Sequence, residues 1–325
     1  MRKLLFPVLL GAVKIDLTAL FLEAAVRLVV DDGMQFDLEM WKYARDVKVV
    51  SPNPSIGHEH GPNRKAHLMG VDVETSAQGL RDREFTLEPK PGTPRILMIG
   101  DSLTFGWGVP FEATFSKRIE KLYADAGQEV EVINTGVGNW NTVQEVTYFL
   151  TKAKDFKPNI VVLNFFVNDA EPVPEYRAPP SFFMRNCYTC VFVAGRIDML
   201  RRLFFGGPSW DEYYLGLYGN GDTPGWLAAK AAIKELADYC KASNIKLVIA
   251  NLPELHDVAN YRFDAVTQLV KDAAAEDGAL FVDLLQVMKS EDSADLWVTP
   301  PDPHPNAFAN ELLANGLYEA LKGLN

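Results

Sequence analysis

A serine, an aspartate and a histidine stand in this sequence at positions where acyl chemistry would need them. Ser102 follows the apolar run RILMIG and Asp101, and Asp302 lies two residues before His304 near the carboxyl end of the chain. A hydroxyl becomes a nucleophile when a base lies within hydrogen-bond reach and a carboxylate orients that base. These residue types indicate attack of Ser102 on an ester carbonyl, with His304 as the base and Asp302 as the orienting carboxylate.

The same reaction needs hydrogen-bond donors for the negatively charged oxygen of a tetrahedral intermediate. Three places in the sequence offer them: the backbone N–H of Ser102, the backbone of Gly138 and Asn139 after the apolar run VEVINTGV, and the side-chain amide of Asn168. Asparagine tolerates a left-handed backbone better than most residues, so Asn139 can present its N–H in a tight turn. Whether Gly138 or Asn139 supplies the donor is left open.

The elements that must position these side chains are visible from about residue 95 onward. Apolar runs of strand length alternate with amphipathic helical segments; the runs are RILMIG, VEVINTGV, NIVVLNFFVND, IKLVIANLP and ALFVDLL. This alternation is typical of a parallel sheet covered by helices on both faces. We therefore predict an α/β fold, a three-layer α/β/α sandwich with a five-stranded parallel sheet. Ligands of such sheets bind at the carboxyl ends of the strands, where Ser102, Asn168 and His304 are expected.

In this order, the motifs resemble the SGNH, or GDSL-type, superfamily of esterases and acyltransferases. Its first block is matched by Gly100-Asp101-Ser102-Leu103, its second by the Asn-x-Gly segment at a strand end, its third by Asn168-Asp169, and its last by Asp302 and His304. The resemblance covers residues 75–325. It implies a flavodoxin-like sandwich, small acyl esters, often on carbohydrates, as substrates, and no metal or organic cofactor.

Two residues depart from the pattern of that superfamily. Asn139, preceded by Gly138, stands where the second block has its oxyanion glycine, and the last block more often places its aspartate three residues before the histidine, where Pro301 stands here. Asp302, two residues before His304, is the only nearby carboxylate, so the orienting role is assigned to it. Asp169 is expected to be structural and to bond backbone amides of the following turn.

Composition and missing motifs exclude several other classes of function. The 325 residues carry a formal charge of −11, from 32 basic and 43 acidic side chains, so a nucleic-acid partner is not expected. No glycine-rich phosphate loop follows a strand, and no Gly-x-Ser-x-Gly elbow is present. His58-Glu59-His60 lacks a third ligand nearby, so no metal site is expected. Cys187 and Cys190 are interpreted as one disulfide or as two partly buried thiols.

Three segments fall outside the alternating pattern. Residues 1–30 are apolar, follow Arg2 and Lys3 and precede several acidic residues, which favours a signal-anchor with the body of the protein in the periplasm or otherwise outside the cytoplasm. An amphipathic helix packed on the domain and a cleaved signal peptide remain alternatives. Residues 31–94 are predicted to be an extended segment that packs on the catalytic domain of residues 95–325. The aromatic-rich insertion 170–223 is either a binding element or lid, or a satellite hydrophobic cluster.

The residues together favour a serine ester hydrolase or O-acyltransferase that acts on small acyl esters, with acetyl the first choice. The expected partner is a small acyl ester or an acylated carbohydrate of the cell envelope, with membrane association through residues 4–30. The alternative is a carbohydrate-binding or polysaccharide-assembly protein with a degenerate site of the same type. His256, after the fourth predicted strand, is interpreted as a substrate contact or a surface residue rather than as the base.

Overall fold

The computed structural model describes residues 14, 16–173, 181–182, 184–300 and 302–324. Residues 16–25 are helical and continue into a π-helix, Val26–Val30. Within the described residues, no helix combines the length and apolar character that a bilayer crossing requires. Much of the predicted N-terminal segment, residues 1–13 and 15, lies outside the described part of the chain.

The strands form one large sheet and three two-stranded ribbons. In chain order they are β1 (Lys48–Val50), β2 (His58–His60), β3 (Lys65–Leu68), β4 (Val71–Glu74), β5 (Arg95–Ile99), β6 (Glu131–Asn134), β7 (Ile160–Phe165), β8 (Lys246–Asn251), β9 (Leu280–Asp283), β10 (Trp297–Thr299) and β11 (Asp302–Pro305). The large sheet has the order β6-β5-β7-β8-β9, and all of its neighbouring strands are parallel. The predicted five-stranded parallel sheet is thus confirmed.

Helices cover both faces of this sheet. In chain order the α-helices are α1 (Phe36–Asp46), α2 (Ser102–Phe105), α3 (Phe115–Asp125), α4 (Thr142–Thr151), α5 (Tyr188–Phe205), α6 (Trp210–Gly216), α7 (Pro224–Ala242), α8 (Asp264–Glu276) and α9 (Ala307–Leu321). Alternate strand residues point to opposite faces, so Leu97 and Ile99 pack with α4, α7 and α8, whereas Ile96 and Met98 pack with α3 and α9. The predicted α/β/α sandwich is therefore confirmed.

The segment before the sheet contains a helix, which the sequence pattern did not predict. Helix α1 lies against β1 and β3, and its Tyr43 is buried with Leu68 and Val73 of the β3–β4 hairpin. The same cluster includes Phe105 and Trp107, which follow Ser102 closely in the chain. Residues 31–94 therefore form part of the wall around the carboxyl edge of the sheet.

The described residues of the insertion between β7 and α7 include helices α5 and α6. Helix α5 packs against α1 and against the π-helix near the N-terminus, and its residues 188–204 are all at least partly exposed. Cys187 and Cys190 at its beginning form a disulfide. Helix α6 lies close to the residues that follow β8. Trp210 of this helix donates a hydrogen bond to Glu254, and Asp211 accepts one from Arg262.

Candidate active site

Ser102 stands at the first position of helix α2, directly after β5. The Asp101 side chain caps this helix by accepting a hydrogen bond of 2.9 Å from the backbone N–H of Leu103. A Cβ atom at Gly100 would lie 2.1 Å from Oγ1 of Thr104, so only glycine allows this sharp exit from the strand. At the start of the helix, the N–H of Ser102 has no hydrogen-bond partner within the described chain, which leaves it free to bind an anion.

His304 and Asp302 are brought to Ser102 by strand β11. Nε2 of His304 lies 2.9 Å from Oγ of Ser102, and Nδ1 of His304 lies 2.5 Å from Oδ1 of Asp302. The backbone N–H of His304 also donates to Oδ1 of Asp302, at 3.2 Å. The spacing of two residues therefore allows one carboxylate to hold both the ring and the backbone of His304.

Trp107 holds the other oxygen of Asp302. Its indole Nε1–H donates to Oδ2 at 2.8 Å, and the Asp302 side chain is fully buried. Burial alone would raise the pKa of Asp302, but the hydrogen bonds from His304 and Trp107 outweigh it and leave this pKa below its ordinary value. Asp302 is thus an ionised, rigidly held partner for the imidazole. Sequence reasoning missed Trp107, since nothing local marks its contact with a residue near the other end of the chain.

Asn168 and Asn139 carry the two other candidate donors for an oxyanion. Nδ2 of Asn168 donates to Oδ2 of Asp101 at 3.2 Å, which holds the amide next to the serine. Asn139 has a φ of 65°, the left-handed backbone expected for this position. Its N–H has no hydrogen-bond partner within the described residues. The role of these two groups as donors to an oxyanion stays a prediction.

The backbone N–H of Gly138, in contrast to that of Asn139, already has a hydrogen-bond partner. Its N–H donates to the hydroxyl of Tyr43 at 2.8 Å, and its carbonyl accepts hydrogen bonds from Lys48 Nζ at 2.7 Å and His58 Nε2 at 3.0 Å. A Cβ atom at this position would lie 2.8 Å from the Tyr43 ring. Of the two backbone donors left open by the sequence, the structure therefore leaves Asn139 available and occupies that of Gly138.

The histidines of β2 support the same loop. Nε2 of His60 lies 2.6 Å from the Tyr43 hydroxyl, which donates to it because that hydroxyl already accepts from Gly138. Burial and the nearby charge of Lys48 lower the pKa of His58 to about 4, and burial lowers that of His60 well below its usual value. Glu59 points away and pairs with Lys152. His58 thus donates a hydrogen bond to the loop directly, whereas His60 supports the loop only through the hydroxyl of Tyr43.

A cluster of buried carboxyl groups lies behind the serine. Asp101, Glu145 and Asp169 are all fully or almost fully buried. Burial, followed by repulsion from the neighbouring acids, raises the pKa of Glu145 and Asp169 well above their ordinary values, and burial also raises that of Asp101. Oδ2 of Asp169 accepts the N–H of Phe166, at 2.9 Å. Asp169 is therefore structural as expected, although the amide it binds precedes it instead of following it.

The fold and these distances fit serine-dependent acyl chemistry, in which hydroxyl, imidazole and carboxylate stand in line. A family model for GDSL-like lipases and acylhydrolases matches residues 98–312, from β5 into α9. The chain belongs to this family of esterases and acylhydrolases, as its motifs predicted.

Solved structures to which this chain is similar include TesA, with 14% identity and a TM-score of 0.48 over 71% of this chain and 99% of that one. The psychrotrophic esterase EstA from Pseudoalteromonas sp. has 15% identity and a TM-score of 0.44, over 70% and 97%. A variant of Axe2, an acetyl-xylooligosaccharide esterase from Geobacillus, has 17% identity and a TM-score of 0.46, over 71% and 94%. No curated protein matches the sequence.

Proposed function

We propose that the protein is a serine esterase or O-acyltransferase in which Ser102 is the nucleophile and His304 the general base. The observation that carries this proposal is the unbroken line of hydrogen bonds from Oγ of Ser102 through the His304 ring to Asp302. In this line Nδ1 of His304 keeps its proton toward the carboxylate, so Nε2 is the nitrogen that accepts the proton of Ser102.

The reaction then runs in two halves. Oγ of Ser102 adds to the ester carbonyl while Nε2 of His304 takes its proton, and the resulting oxyanion is bound by the N–H of Ser102, the N–H of Asn139 and the side-chain amide of Asn168. The C–O bond to the alcohol breaks as His304 returns the proton to the leaving oxygen. A second hydroxyl, from water or from an acceptor sugar, then releases the acyl group from Ser102 in the same manner.

We assign the substrate to small acyl esters, acetyl esters foremost, carried by a carbohydrate. Support comes from the insertion, whose helix α6 places Trp210, Tyr213 and Tyr214 close together beside the carboxyl edge of the sheet. Trp210 is 46% and Tyr213 42% exposed. Exposed aromatic faces with nearby polar groups are typical of binding sites that hold a ligand by stacking.

A labelling experiment with an active-site probe tests the nucleophile. The full chain should react with a fluorophosphonate probe at Ser102 and should release p-nitrophenol from p-nitrophenyl acetate. Ser102→Ala should lose both reactions, whereas Ser116→Ala, a serine on α3, should retain labelling. If the full chain is not labelled, the alternative of a carbohydrate-binding or assembly protein with a degenerate site is favoured.

We further propose that the protein works outside the cytoplasm and is attached to a membrane through residues 4–30. The described end of this segment exposes large apolar side chains, with Leu28 83% and Val29 78% accessible, and helix α5 beside it exposes Leu203 and Phe204 to 71% and 77%. The disulfide at Cys187 and Cys190 suits an oxidising compartment.

Flotation with lipid vesicles tests the attachment. The full chain should float with vesicles of phosphatidylethanolamine and phosphatidylglycerol, and a Leu203→Glu/Phe204→Glu variant should float less when residues 4–30 are intact. A matched control places the same two charges elsewhere on the surface, at the neutral and exposed positions Gln268 and Ala275 of α8. Failure of the unmodified chain to float would refute the proposed attachment and would leave the proposed chemistry untouched.

A further inference from the structure

A second pair of a carboxylate and an imidazole lies at the same edge of the sheet as Asp302 and His304. Glu254 and His256 follow β8 with the same spacing of two residues, and Nδ1 of His256 is hydrogen-bonded to the carboxylate of Glu254. The backbone N–H of His256 donates to the same carboxylate at 3.1 Å, as that of His304 does to Asp302. The mechanism proposed above makes no use of this pair.

The two imidazoles differ in what their outer nitrogen faces. Nε2 of His304 meets Ser102, whereas Nε2 of His256 has no hydrogen-bond partner in the described part of the chain. The His256 side chain is 43% exposed, while the Glu254 side chain is only 5% exposed. A buried carboxylate therefore fixes one side of the ring and leaves the other side directed at solvent.

Two indole rings frame this exposed imidazole. The ring centroids of Trp210 and Trp297 lie 5.7 Å and 5.5 Å from that of His256. Trp210 is 46% exposed, and its Nε1–H donates to Glu254 at 3.3 Å. Nε1 of Trp297 is bound to the carbonyl of Leu255 at 2.9 Å. Because both indole N–H groups are satisfied within the protein, the exposed ring surface is left to contact a ligand.

The hairpin that carries the catalytic pair also carries one of these indoles. Trp297 in β10 stands opposite Pro305 in β11, the residue that follows His304. The other indole belongs to helix α6, whose Tyr213 hydroxyl donates to Glu171 at 2.9 Å. The N–H of Glu171 in turn donates to the carbonyl of Asn168, at 2.8 Å. The two indoles that flank His256 are therefore connected to the site on two sides. Trp297 shares a hairpin with His304, and helix α6 is linked through Glu171 to the backbone of Asn168.

We propose that Trp210, His256 and Trp297 form a subsite that binds a sugar ring of the ester substrate, with Nε2 of His256 as the donor to a sugar oxygen. This inference rests on the proposed function, because it names the group that the subsite holds while Ser102 attacks the acyl carbonyl. A sugar ring offers both an apolar face for an indole and hydroxyl groups for a directed N–H. The protein thereby gains binding energy from the part of the substrate that does not react.

Glu254 also decides the protonation of the ring that it holds. Its hydrogen bond raises the pKa of His256, so the imidazole keeps protons on both nitrogens to a higher pH than a free histidine does. Nε2 is then a donor, which matches a sugar hydroxyl or ring oxygen and does not suit a general base. The two pairs of equal spacing differ in their geometry, because Nε2 of His304 meets Ser102 whereas Nε2 of His256 faces solvent.

Kinetics with two acetyl esters test the subsite. With p-nitrophenyl acetate, which carries no sugar, His256→Gln and Trp210→Ala should keep kcat/KM within about twofold of the unmodified chain. With 6-O-acetylglucose, the same variants should raise KM about tenfold, the effect of losing one hydrogen bond or one stacking contact, with kcat changed by less than about twofold. Acetate release measures both reactions.

His67→Gln is the matched control, because Nδ1 of His67 is likewise hydrogen-bonded to a carboxylate, that of Asp72 at 2.7 Å, and its side chain is 62% exposed on the β3–β4 hairpin. It should leave both reactions unchanged. An unchanged KM for 6-O-acetylglucose in His256→Gln and Trp210→Ala overturns the subsite, as does an equal loss on both esters. If the unmodified chain hydrolyses neither ester, the proposed function itself fails and the subsite falls with it.

Discussion

The hydroxyl of Tyr43 accepts the backbone N–H of Gly138 at 2.8 Å, across 95 residues of chain. This contact joins helix α1 to the loop that follows β6 and presents Asn139. The hydroxyl in turn donates a hydrogen bond to Nε2 of His60, so helix α1, strand β2 and the loop are joined by one chain of hydrogen bonds. The segment ahead of the sheet therefore belongs to the support of the site.

Removing this hydroxyl should loosen the loop that carries Asn139. In Tyr43→Phe the N–H of Gly138 and Nε2 of His60 both lose a partner in a buried place, which costs about 1–3 kcal/mol of stability. We also expect kcat to fall about tenfold or more with little change in KM, since the Asn139 donor acts mainly on the transition state. Urea unfolding and steady-state hydrolysis of p-nitrophenyl acetate measure the two effects.

Tyr239 on α7 offers the matched control for that substitution. Its ring packs on Phe149, and its hydroxyl makes no hydrogen bond with the described residues. Tyr239→Phe should therefore keep both stability and kcat. If Tyr43→Phe loses stability while kcat stays at the level of the unmodified chain, the loop supports folding only and has no part in binding the oxyanion.

Asp302→Asn tests whether the unusual spacing still provides an orienting carboxylate. An amide at this position favours the wrong tautomer of His304 and does not stabilise its charged form, so kcat at pH 7 should fall by about a thousandfold or more. The protein should remain folded, because Asn retains an oxygen that accepts from Trp107. Asp272→Asn, on the exposed surface of α8, is the control. A loss of less than about tenfold would show that Asp302 merely holds the strand.

Acid should destabilise the protein through the two histidines of β2. The pKa of His58 is about 4 in the folded protein, and an unfolded chain takes up a proton on histidine near pH 6.5. Between these values the unfolded state binds more protons, so the free energy of unfolding falls as the pH is lowered from about 6.5 toward 4. Each such histidine contributes about 1.4 kcal/mol per pH unit in this range.

His58→Gln should make the free energy of unfolding depend less steeply on pH, because one histidine fewer takes up a proton on unfolding. Glutamine does not titrate, and its side-chain N–H can still donate to the carbonyl of Gly138. Urea unfolding at several values between pH 4.5 and pH 7 gives the slope for each protein. Equal slopes for the two proteins would mean that His58 takes up its proton in the folded state as readily as in the unfolded one.

The sheet and the meeting of Ser102 with His304 could be predicted because their signals are local. Each strand of the large sheet is a short run of apolar residues, and Ser102, Asn168 and His304 follow from the rule that strand ends converge. Helix α1 lacks such a signal. Its apolar side chains are interleaved with charges, and they find their partners in the β3–β4 hairpin and in Phe105, far along the chain.

The supporting groups of the site depend on contacts between distant segments. Trp107 donates a hydrogen bond to Asp302, 195 residues later in the chain, and no sequence pattern around either residue predicts that contact. For His58 and His60 a signal was present, since residues two apart on a strand point to one side. His58 contacts the loop after β6 directly, and His60 does so through the hydroxyl of Tyr43. The sequence alone did not show that the loop after β6 packs on these histidines, so they could be assessed only as possible metal ligands.

Glu145 makes the free energy of unfolding depend on pH with a sign opposite to that of the histidines. Its side chain on α4 is fully buried, neither carboxyl oxygen has a hydrogen-bond partner among the described residues, and Asp169 and Asp101 are the acids that face it. Burial and these neighbours raise its pKa well above the ordinary value, so the folded protein holds a proton that the unfolded chain releases above about pH 4.3. The free energy of unfolding therefore falls as the pH rises from there.

Glu145→Gln should remove this loss, since the amide has the same shape and no proton to lose. The urea midpoint of the variant should exceed that of the unmodified chain at pH 8, and the difference should shrink as the pH is lowered to 4.5. Glu235→Gln, exposed on α7, should stay within about 0.5 kcal/mol of the unmodified chain at both values. A variant that is less stable at pH 8 would mean that Glu145 is ionised in the folded protein and that a cation balances it.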